Sequence, residues 1–195
     1  MPNKVVQDLI DKTLRELSQT SKPIERSRVS NTPNGYIFLV AWSNASLLRV
    51  LIREYTNTLP KLEYRLKAQL DDAARSTVAN IEEGFARQTT SEYINFLGYS
   101  RASLVEVKGD IQRSYQDEFL KSIPGSNLKD LEIDLVKWHE ALKKSVISRP
   151  DDFRGNYRNL KESSQPFKFL YNPVDSIKTE DLTYEILIEL INKTD

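Results

Sequence analysis

The chain has 195 residues, with 28 Lys and Arg balanced by 28 Asp and Glu, no cysteine and one histidine. Its length and its 39% apolar content are typical of a globular protein, and its zero net charge lacks the basic surplus of a dedicated nucleic-acid binder. The lack of cysteine excludes disulfides, thiolate metal sites and cysteine nucleophiles and favours a cytoplasmic location, while a single histidine excludes multi-histidine metal sites.

The N-terminal part of the chain divides into a helix and a linker. Apolar residues recur every three or four positions in residues 1–22, so we predict an amphipathic helix there. Residues 23–35 contain two prolines and an Asn-Gly pair, which are typical of a linker. Polar residues break the one long uncharged stretch, residues 29–48, and we therefore expect no membrane-spanning segment.

Four helices are predicted within residues 36–149. Apolar positions step by threes and fours along each helix, and prolines or a Pro-Gly turn separate most of them. Thr89 followed by Glu92 is a capping-box pattern, which predicts the start of the third helix. Short loops force sequential helices to run in opposite directions, so we predict an all-α, antiparallel up-and-down four-helix bundle. The predicted helices cover residues 36–58, 61–87, 90–120 and 128–149.

Residues 150–195 are predicted to form a C-terminal strap and a short helix. The helix starts near Thr179, where acidic residues suit a helix N-terminus. In the strap, aromatic and basic residues alternate, as in Phe167-Lys168-Phe169, which suits a stacking platform for single-stranded nucleic acid. The alternative is that these aromatic rings pin the strap to the bundle.

The central part of the sequence carries spaced motifs in a fixed order. These are Ala73-Ala74-Arg75-Ser76, Asn80-Ile81-Glu82-Glu83-Gly84 and Arg101-Ala102-Ser103-Leu104-Val105-Glu106. With them, residues 36–121 resemble a family of four-helix-bundle proteins encoded in intervening sequences of bacterial 23S rRNA genes. Residues 187–194 are similar to the subgroup with a C-terminal suffix. One departure is Glu82, which stands where the family usually has Ala.

The resemblance implies properties beyond the fold. Members of the family are described as ring-like homo-oligomers, typically pentamers, of largely unknown function. The accessory proteins of diversity-generating retroelements resemble them in fold and bind RNA and a reverse transcriptase. The resemblance therefore implies a homo-oligomer with RNA, or an enzyme that acts on nucleic acid, as a partner.

Asn80, Glu83 and Gly84 are interpreted as a structural motif, with ligand binding as the alternative. Glycine costs about 1 kcal/mol in a helix interior, so a close helix crossing or a helix end must offset the cost of Gly84. A buried Asn80 amide is expected to bridge neighbouring backbones, because a buried amide without a partner costs roughly 1 to 3 kcal/mol.

Three alanines, Ala68, Ala79 and Ala86, lie on the second helix opposite its leucine stripe. Small residues on this face predict a second packing surface and therefore self-association. The alternative is that alanine is simply the best helix former at an exposed position.

Basic residues on the second and third helices are predicted to bind nucleic acid, since rotational repetition in a ring would turn weak patches into a band. The alternative is that these side chains form solvated ion pairs with Asp71, Asp72, Glu82 and Asp110. The basic residues are Arg65, Arg75, Arg87, Arg101 and Lys108.

An enzyme would need either a carboxylate cluster or His139 as a general base. A di-metal bundle requires Glu-x-x-His pairs, which are missing from the sequence, and His139 beside Trp138 is interpreted as a residue at the edge of the core. We therefore predict no catalytic residue, no metal, no cofactor and no small-molecule substrate. The carboxylates considered are Glu82, Glu83, Glu106 and Asp110.

Two hypotheses for function follow. In the first, the chain is a non-catalytic oligomeric scaffold that presents basic flanks to RNA or to an enzyme that acts on nucleic acid. In the second, it is a protein–protein adaptor, whose N-terminal helix and C-terminal extension bind partner helices through their apolar faces.

Overall fold

A computed structural model describes residues 12–14, 34–147 and 177–195, and within these ranges every regular element is a helix. The prediction of an all-α fold is thereby confirmed. Residues 12–14 are helical, and the rest of the predicted N-terminal helix lies outside the described residues, as do most of the linker and the strap. No helix of the described ranges is long and apolar enough to cross a membrane. The α-helices are α1 (Val40–Thr56), α2 (Tyr64–Phe85), α3 (Thr90–Gln116), α4 (Leu135–Ile147) and α5 (Tyr184–Thr194).

Helices α1 and α2 pack antiparallel. The Trp42 indole near the start of α1 donates a hydrogen bond to Oε1 of Glu82 near the end of α2, at 2.8 Å. At the other end of the pair, the Thr56 hydroxyl donates to Oδ1 of Asp71, also at 2.8 Å. Each of these two α-helices follows a short 3₁₀ helix, Gly35–Phe38 before α1 and Lys61–Glu63 before α2. The Trp42–Glu82 and Thr56–Asp71 hydrogen bonds fix the register between α1 and α2.

Helix α3 begins as the capping box predicts. The Thr89 hydroxyl accepts a hydrogen bond from the backbone N–H of Glu92 at 3.2 Å, and the Glu92 carboxylate accepts from the backbone N–H of Thr89 at 3.3 Å. Helices α2 and α3 form the most extensive interhelical contact of the described residues. Within it, the buried Ser100 hydroxyl donates to the backbone oxygen of Thr77 at 2.7 Å, which joins the middles of the two helices.

The predicted helix over residues 128–149 is wrong in its first part. Residues Leu128–Leu131 form a 3₁₀ helix, and Glu132 then adopts a left-handed conformation with φ of 56°, which breaks the helical path. The carboxylate of Asp134 accepts hydrogen bonds from the backbone N–H groups of Val136 and Lys137, at 3.0 and 3.1 Å. An α-helix therefore restarts only at Leu135, and α4 has 13 residues.

Helix α4 packs on the outer side of α1. The buried Trp138 indole donates to the backbone oxygen of Ser43 at 2.7 Å, and Nδ1 of His139 lies 3.0 Å from the Ser43 hydroxyl. His139 is half-buried, so it lies at the edge of the core. In this position α4 leaves the groove between α1 and α3 open to another helix.

Helix α5 fills the groove between α1 and α3. Most of its apolar side chains are buried, and the Asn44 amide of α1 donates to the backbone oxygen of Lys193 at 2.9 Å. At the start of α5, the backbone N–H of Tyr184 donates to the backbone oxygen of Lys121 at 2.9 Å. The C-terminal segment thus completes the core of this chain, and its apolar face is not free for a partner helix. The buried residues are Leu182, Ile186, Leu187, Leu190 and Ile191.

Candidate nucleic-acid interface

The three arginines on or next to α2 that were predicted to bind nucleic acid lie far apart along the helix. Arg65 is exposed near the start of α2, and its Nε donates to the Tyr64 hydroxyl at 3.2 Å. Arg75 is exposed in the middle of the helix. Arg87 lies just beyond the end, about 33 Å from Arg65 if the helical rise of about 1.5 Å per residue is continued. The three arginines therefore belong to different parts of the surface.

Arg87 is held by its own neighbours. Its Nη2 lies 3.6 Å from Oε2 of Glu83, one helical turn earlier. The guanidinium also stacks over the Phe96 ring of α3, 4.3 Å from its centroid, in a cation–π contact. Arg87 therefore connects the end of α2 to the start of α3.

Arg101 and Lys108 on α3 form hydrogen bonds with residues at the C-terminal end of α5. The Arg101 guanidinium donates to both carboxylate oxygens of Asp195, at 2.7 and 3.2 Å, and the ammonium group of Lys108 donates to Oδ1 of Asn192 at 2.8 Å. The Asp195 side chain, by hydrogen bond and charge, raises the pKa of Arg101 further. These two basic residues lie together, as the sequence spacing predicts, but the end of α5 already binds them.

The acidic residues that were expected to pair with this basic set have other contacts. Asp71 accepts from Thr56 and Glu82 accepts from Trp42, as described above. Asp110 is buried, and its Oδ1 lies 2.5 Å from Nη2 of Arg113, one turn further along α3. Within the described residues, only Asp110 of the four predicted acids, Asp71, Asp72, Glu82 and Asp110, forms an ion pair, and its partner Arg113 is not one of the five predicted basic residues.

The structure adds two arginines to the candidate interface, Arg49 and Arg53 of α1. Both are exposed and one turn apart. Arg49 is seven residues from both Trp42 and Thr56, the α1 residues that bond to α2, and its charge acts on Glu82, so it lies along the side of α1 that faces α2. Because α1 and α2 are antiparallel in the register fixed by the Trp42–Glu82 contact, Arg49 lies level with Arg75. Residues 1–60 contain 8 Lys and Arg against 5 Asp and Glu, a basic excess to which these two arginines contribute, but only the helix pairing places them beside Arg75.

Glu82 lies behind these arginines at the contact between α1 and α2. Burial raises the pKa of Glu82, while the hydrogen bond from Trp42 and the positive charge of Arg49 act in the opposite direction. Burial and the nearby charge of Glu82 also raise the pKa of Tyr36. Ionised Glu82 therefore sits in an environment that favours its neutral form.

The motif residues Asn80, Glu83 and Gly84 lie near the end of α2. A Cβ atom on Gly84 would lie 2.6 Å from the Cβ of Phe96, so glycine permits the close crossing of α2 and α3. Asn80 is only half-buried. Its predicted bridge to neighbouring backbones assumed a buried amide that must find a partner, and the free-energy cost of leaving the amide unpaired is smaller at a half-buried position. Glu83 is exposed and faces Arg87.

Small and apolar side chains are exposed on both α2 and α3. On α2, Ala68 and Ala86 are exposed and Ala79 is half-buried. On α3, Ile94 and Val105 are exposed to 60% and 62%. These residues are accessible for packing against another molecule.

The four carboxylates considered for catalysis do not converge. Glu106 accepts from the Gln69 amide at 3.2 Å, whereas Glu82 and Asp110 have the separate contacts given above and Glu83 faces Arg87. Within the described residues, no group of three or more His, Asp or Glu side chains is arranged to hold a metal ion.

Comparison with known families decides the identity of the chain. The family model of the 23S rRNA-intervening sequence protein matches residues 38–141, just over half of the chain. The chain belongs to this family. The predicted resemblance is thereby confirmed. No curated protein and no solved structure matched the chain.

The 23S rRNA-intervening sequence protein match ends inside α4, at residue 141. It includes α1, α2 and α3 with the arginines on both sides of the α1–α2 contact. Helix α5 lies beyond the matched range, yet it supplies the buried side chains that close the groove between α1 and α3. In this family member, a segment outside the matched range is therefore part of the core.

Proposed function

We propose that this member of the 23S rRNA-intervening sequence protein family is a non-catalytic oligomeric scaffold that associates with RNA or with an enzyme that acts on nucleic acid. Its unit is a four-helix bundle of α1, α2, α3 and α5, with α4 against α1. The family description, which refers to the intervening sequences of 23S rRNA, is consistent with an association with RNA. The lack of cysteine and the single histidine support a non-catalytic role.

A line of small and apolar residues on α3 carries the proposal of an oligomer. Ile94, Gly98, Ala102 and Val105 follow one another at helical spacing on the outer face. A Cβ atom on Gly98 would have no neighbour within 4 Å, so packing within the described chain does not explain this glycine. A mid-helix glycine costs about 1 kcal/mol relative to alanine, and the close approach of a helix from a second copy would offset that cost.

Oligomerisation also supports the association with RNA. One chain has zero net charge, so its attraction to phosphates depends on local groups of basic side chains. A closed ring repeats each group around its symmetry axis and brings several of them to the same nucleic acid. Phosphate contacts of this kind release counterions, so binding is expected to weaken steeply as salt increases.

The oligomer is tested by placing a charge on the outer face of α3. Val105→Glu is expected to lower the molar mass measured by light scattering, because a carboxylate would be buried in the interface. Val136→Glu is the matched control, since Val136 is 73% exposed on α4, away from this face. A wild-type mass of one chain, or an equal mass of wild type and Val105→Glu, would rule out this interface.

A further inference from the structure

Three arginines lie along the contact between α1 and α2. We call Arg49, Arg53 and Arg75 the arginine seam. The antiparallel register puts Arg49 level with Arg75, and Arg53 lies one turn further along α1, about 6 Å along the helix axis. All three side chains are exposed.

The arginine seam differs from the other arginines of the described chain because its side chains form neither a hydrogen bond nor a close ion pair, although the charge of Arg49 acts on Glu82. The side chains of Arg49, Arg53 and Arg75 form no hydrogen bond and no ion pair within 4.0 Å with another described residue. The remaining arginines each have such a contact. Arg65 bonds to Tyr64, and Arg87, Arg101 and Arg113 pair with Glu83, Asp195 and Asp110.

The acidic residues at this contact are turned towards α1. Oδ1 of Asp71 accepts from the Thr56 hydroxyl and Oε1 of Glu82 from the Trp42 indole, each at 2.8 Å. Arg49 is close enough to Glu82 to lower its pKa, but burial has the larger effect and the carboxylate remains behind the arginine. These two carboxylates therefore bond to α1 side chains, and neither forms an ion pair within 4.0 Å with Arg49, Arg53 or Arg75.

Neighbouring positive charges on packed helices repel each other, and an anion that binds between them relieves this repulsion. The guanidinium fork matches the oxygens of a phosphate, and a helical turn separates two forks on α1. We propose that the arginine seam binds phosphate groups of an RNA strand. This inference rests on the proposed function and specifies its RNA-binding surface, which lies on α1 and α2, whereas Arg101 and Lys108 of α3 are bound to Asp195 and Asn192 at the C-terminal end.

The proposal is tested by removing the three charges together. The seam variant is Arg49→Gln with Arg53→Gln and Arg75→Gln. The control variant removes three charges elsewhere, through Lys121→Gln, Lys129→Gln and Lys178→Gln, all at exposed positions. Binding to a fluorescein-labelled, mixed-sequence single-stranded RNA is measured by anisotropy over a range of salt concentrations, and circular dichroism reports the fold of each variant.

The seam variant is expected to bind at least about tenfold more weakly than wild type at low salt, with a salt slope smaller by about one for each lost phosphate contact. The control variant is expected to lose less than about threefold, because its lysines contribute only to the general field. Equal losses in both variants would overturn the arginine seam but leave the proposed association with RNA. Failure of wild type to bind at low salt would overturn both.

A single substitution covers the case in which the seam variant does not fold. Arg75→Glu reverses one charge at an exposed helical position and is compared with Lys129→Glu, also exposed. The proposal expects the larger loss of RNA affinity for Arg75→Glu. Equal affinities of these two variants would contradict it.

Discussion

Arg101 and Asp195 join α3 to the end of α5 through two hydrogen bonds, at 2.7 and 3.2 Å. The Arg101 side chain is 71% exposed, so the contact lies at the surface and is open to solvent. A basic residue that the sequence pattern assigns to nucleic acid is thus bound by the C-terminal helix of its own chain. The contact places the end of α5 beside the middle of α3 and makes the C-terminal segment part of the folded unit.

The first prediction concerns the contribution of α5 to stability. Leu187 is fully buried, and Leu187→Ala is expected to lower the free energy of unfolding by about 2 to 5 kcal/mol through lost burial and a residual cavity. Leu62→Ala is the control, because Leu62 is 87% exposed and its truncation is expected to change stability by less than about 0.5 kcal/mol. Urea unfolding measures both. A cost below about 1 kcal/mol for Leu187→Ala would mean that α5 is not part of the core.

The second prediction compares two glycines in neighbouring helices. Gly84→Ala is expected to destabilise the fold by about 1 to 3 kcal/mol, because its Cβ would clash with Phe96 at the α2–α3 crossing. Gly98→Ala has open space and is expected to gain about 0.5 to 1 kcal/mol from helix propensity. Both are measured by urea unfolding in the Val105→Glu background, so that self-association does not contribute. A neutral or stabilising effect of Gly84→Ala would contradict the close crossing, and a loss of stability for Gly98→Ala would contradict the open space around Gly98.

The local and the distant contacts of the chain differ in how far sequence predicts them. The capping box of Thr89 and Glu92 was predictable because its partners are three residues apart and their geometry is fixed by the helix itself. The contact of Arg101 with Asp195 spans 94 residues, and no spacing rule selects it. The place of Arg49 beside Arg75 likewise depends on the register between α1 and α2.

The break before α4 shows a second limit of sequence patterns. Leucines continue at helical spacing through residues 128–135, which predicted an uninterrupted helix. Glu132 nevertheless takes a left-handed conformation, and the backbone N–H of Ile133 donates to the backbone oxygen of Leu128 at 3.0 Å. The periodicity predicted neither the backbone path nor the full burial pattern, since Leu128 and the off-pattern Ile133 are buried whereas Leu131 and Leu135 are half-buried.

The third prediction concerns Glu82 at the contact of α1 and α2. A carboxyl group whose folded pKa is raised binds a proton more tightly in the folded than in the unfolded state, so its ionised form lowers stability at neutral pH. Glu82→Gln is expected to keep an acceptor for the Trp42 indole and to unfold at the same or a higher free energy at pH 7. Glu82→Ala is expected to cost about 1 to 3 kcal/mol, because it leaves the buried indole N–H unpaired.

Urea unfolding at pH 7 and pH 5 tests the Glu82 prediction. Acidification towards pH 5 is expected to stabilise wild type relative to Glu82→Gln, since only wild type can take up the proton. A Glu82→Gln variant that is markedly less stable than wild type at pH 7 would contradict the argument.

The fourth prediction is a loss of stability in acid at the ends of α5. Burial opposes the ionisation of Glu185, but hydrogen bonds from the Ser122 hydroxyl and from the backbone N–H of Ile123 outweigh it and lower the pKa of Glu185. The hydrogen bond and charge of Arg101 lower the pKa of Asp195. A carboxyl group whose pKa is lower in the folded than in the unfolded state stabilises the fold when it is ionised. This contribution is fully present above the unfolded pKa, 4.5 for Glu185 and 3.8 for Asp195, and it is lost as the pH falls through the folded pKa.

Thermal unfolding between pH 3 and pH 7 measures this effect. Glu185→Gln is expected to flatten the decrease of the unfolding midpoint below about pH 4.5 relative to wild type, whereas Glu180→Gln, at an exposed position, is expected to leave it unchanged. Identical pH profiles for wild type and Glu185→Gln would show that the contacts of Glu185 with Ser122 and Ile123 do not stabilise α5.

Light scattering of the full chain, with and without a mixed-sequence structured RNA, tests the proposed RNA-associated oligomer most directly. At low salt we expect a mass of several chains that increases when RNA is added, and at physiological salt a smaller increase, because phosphate contacts weaken with salt. A mass of one chain that RNA does not change at either salt concentration would contradict the proposal.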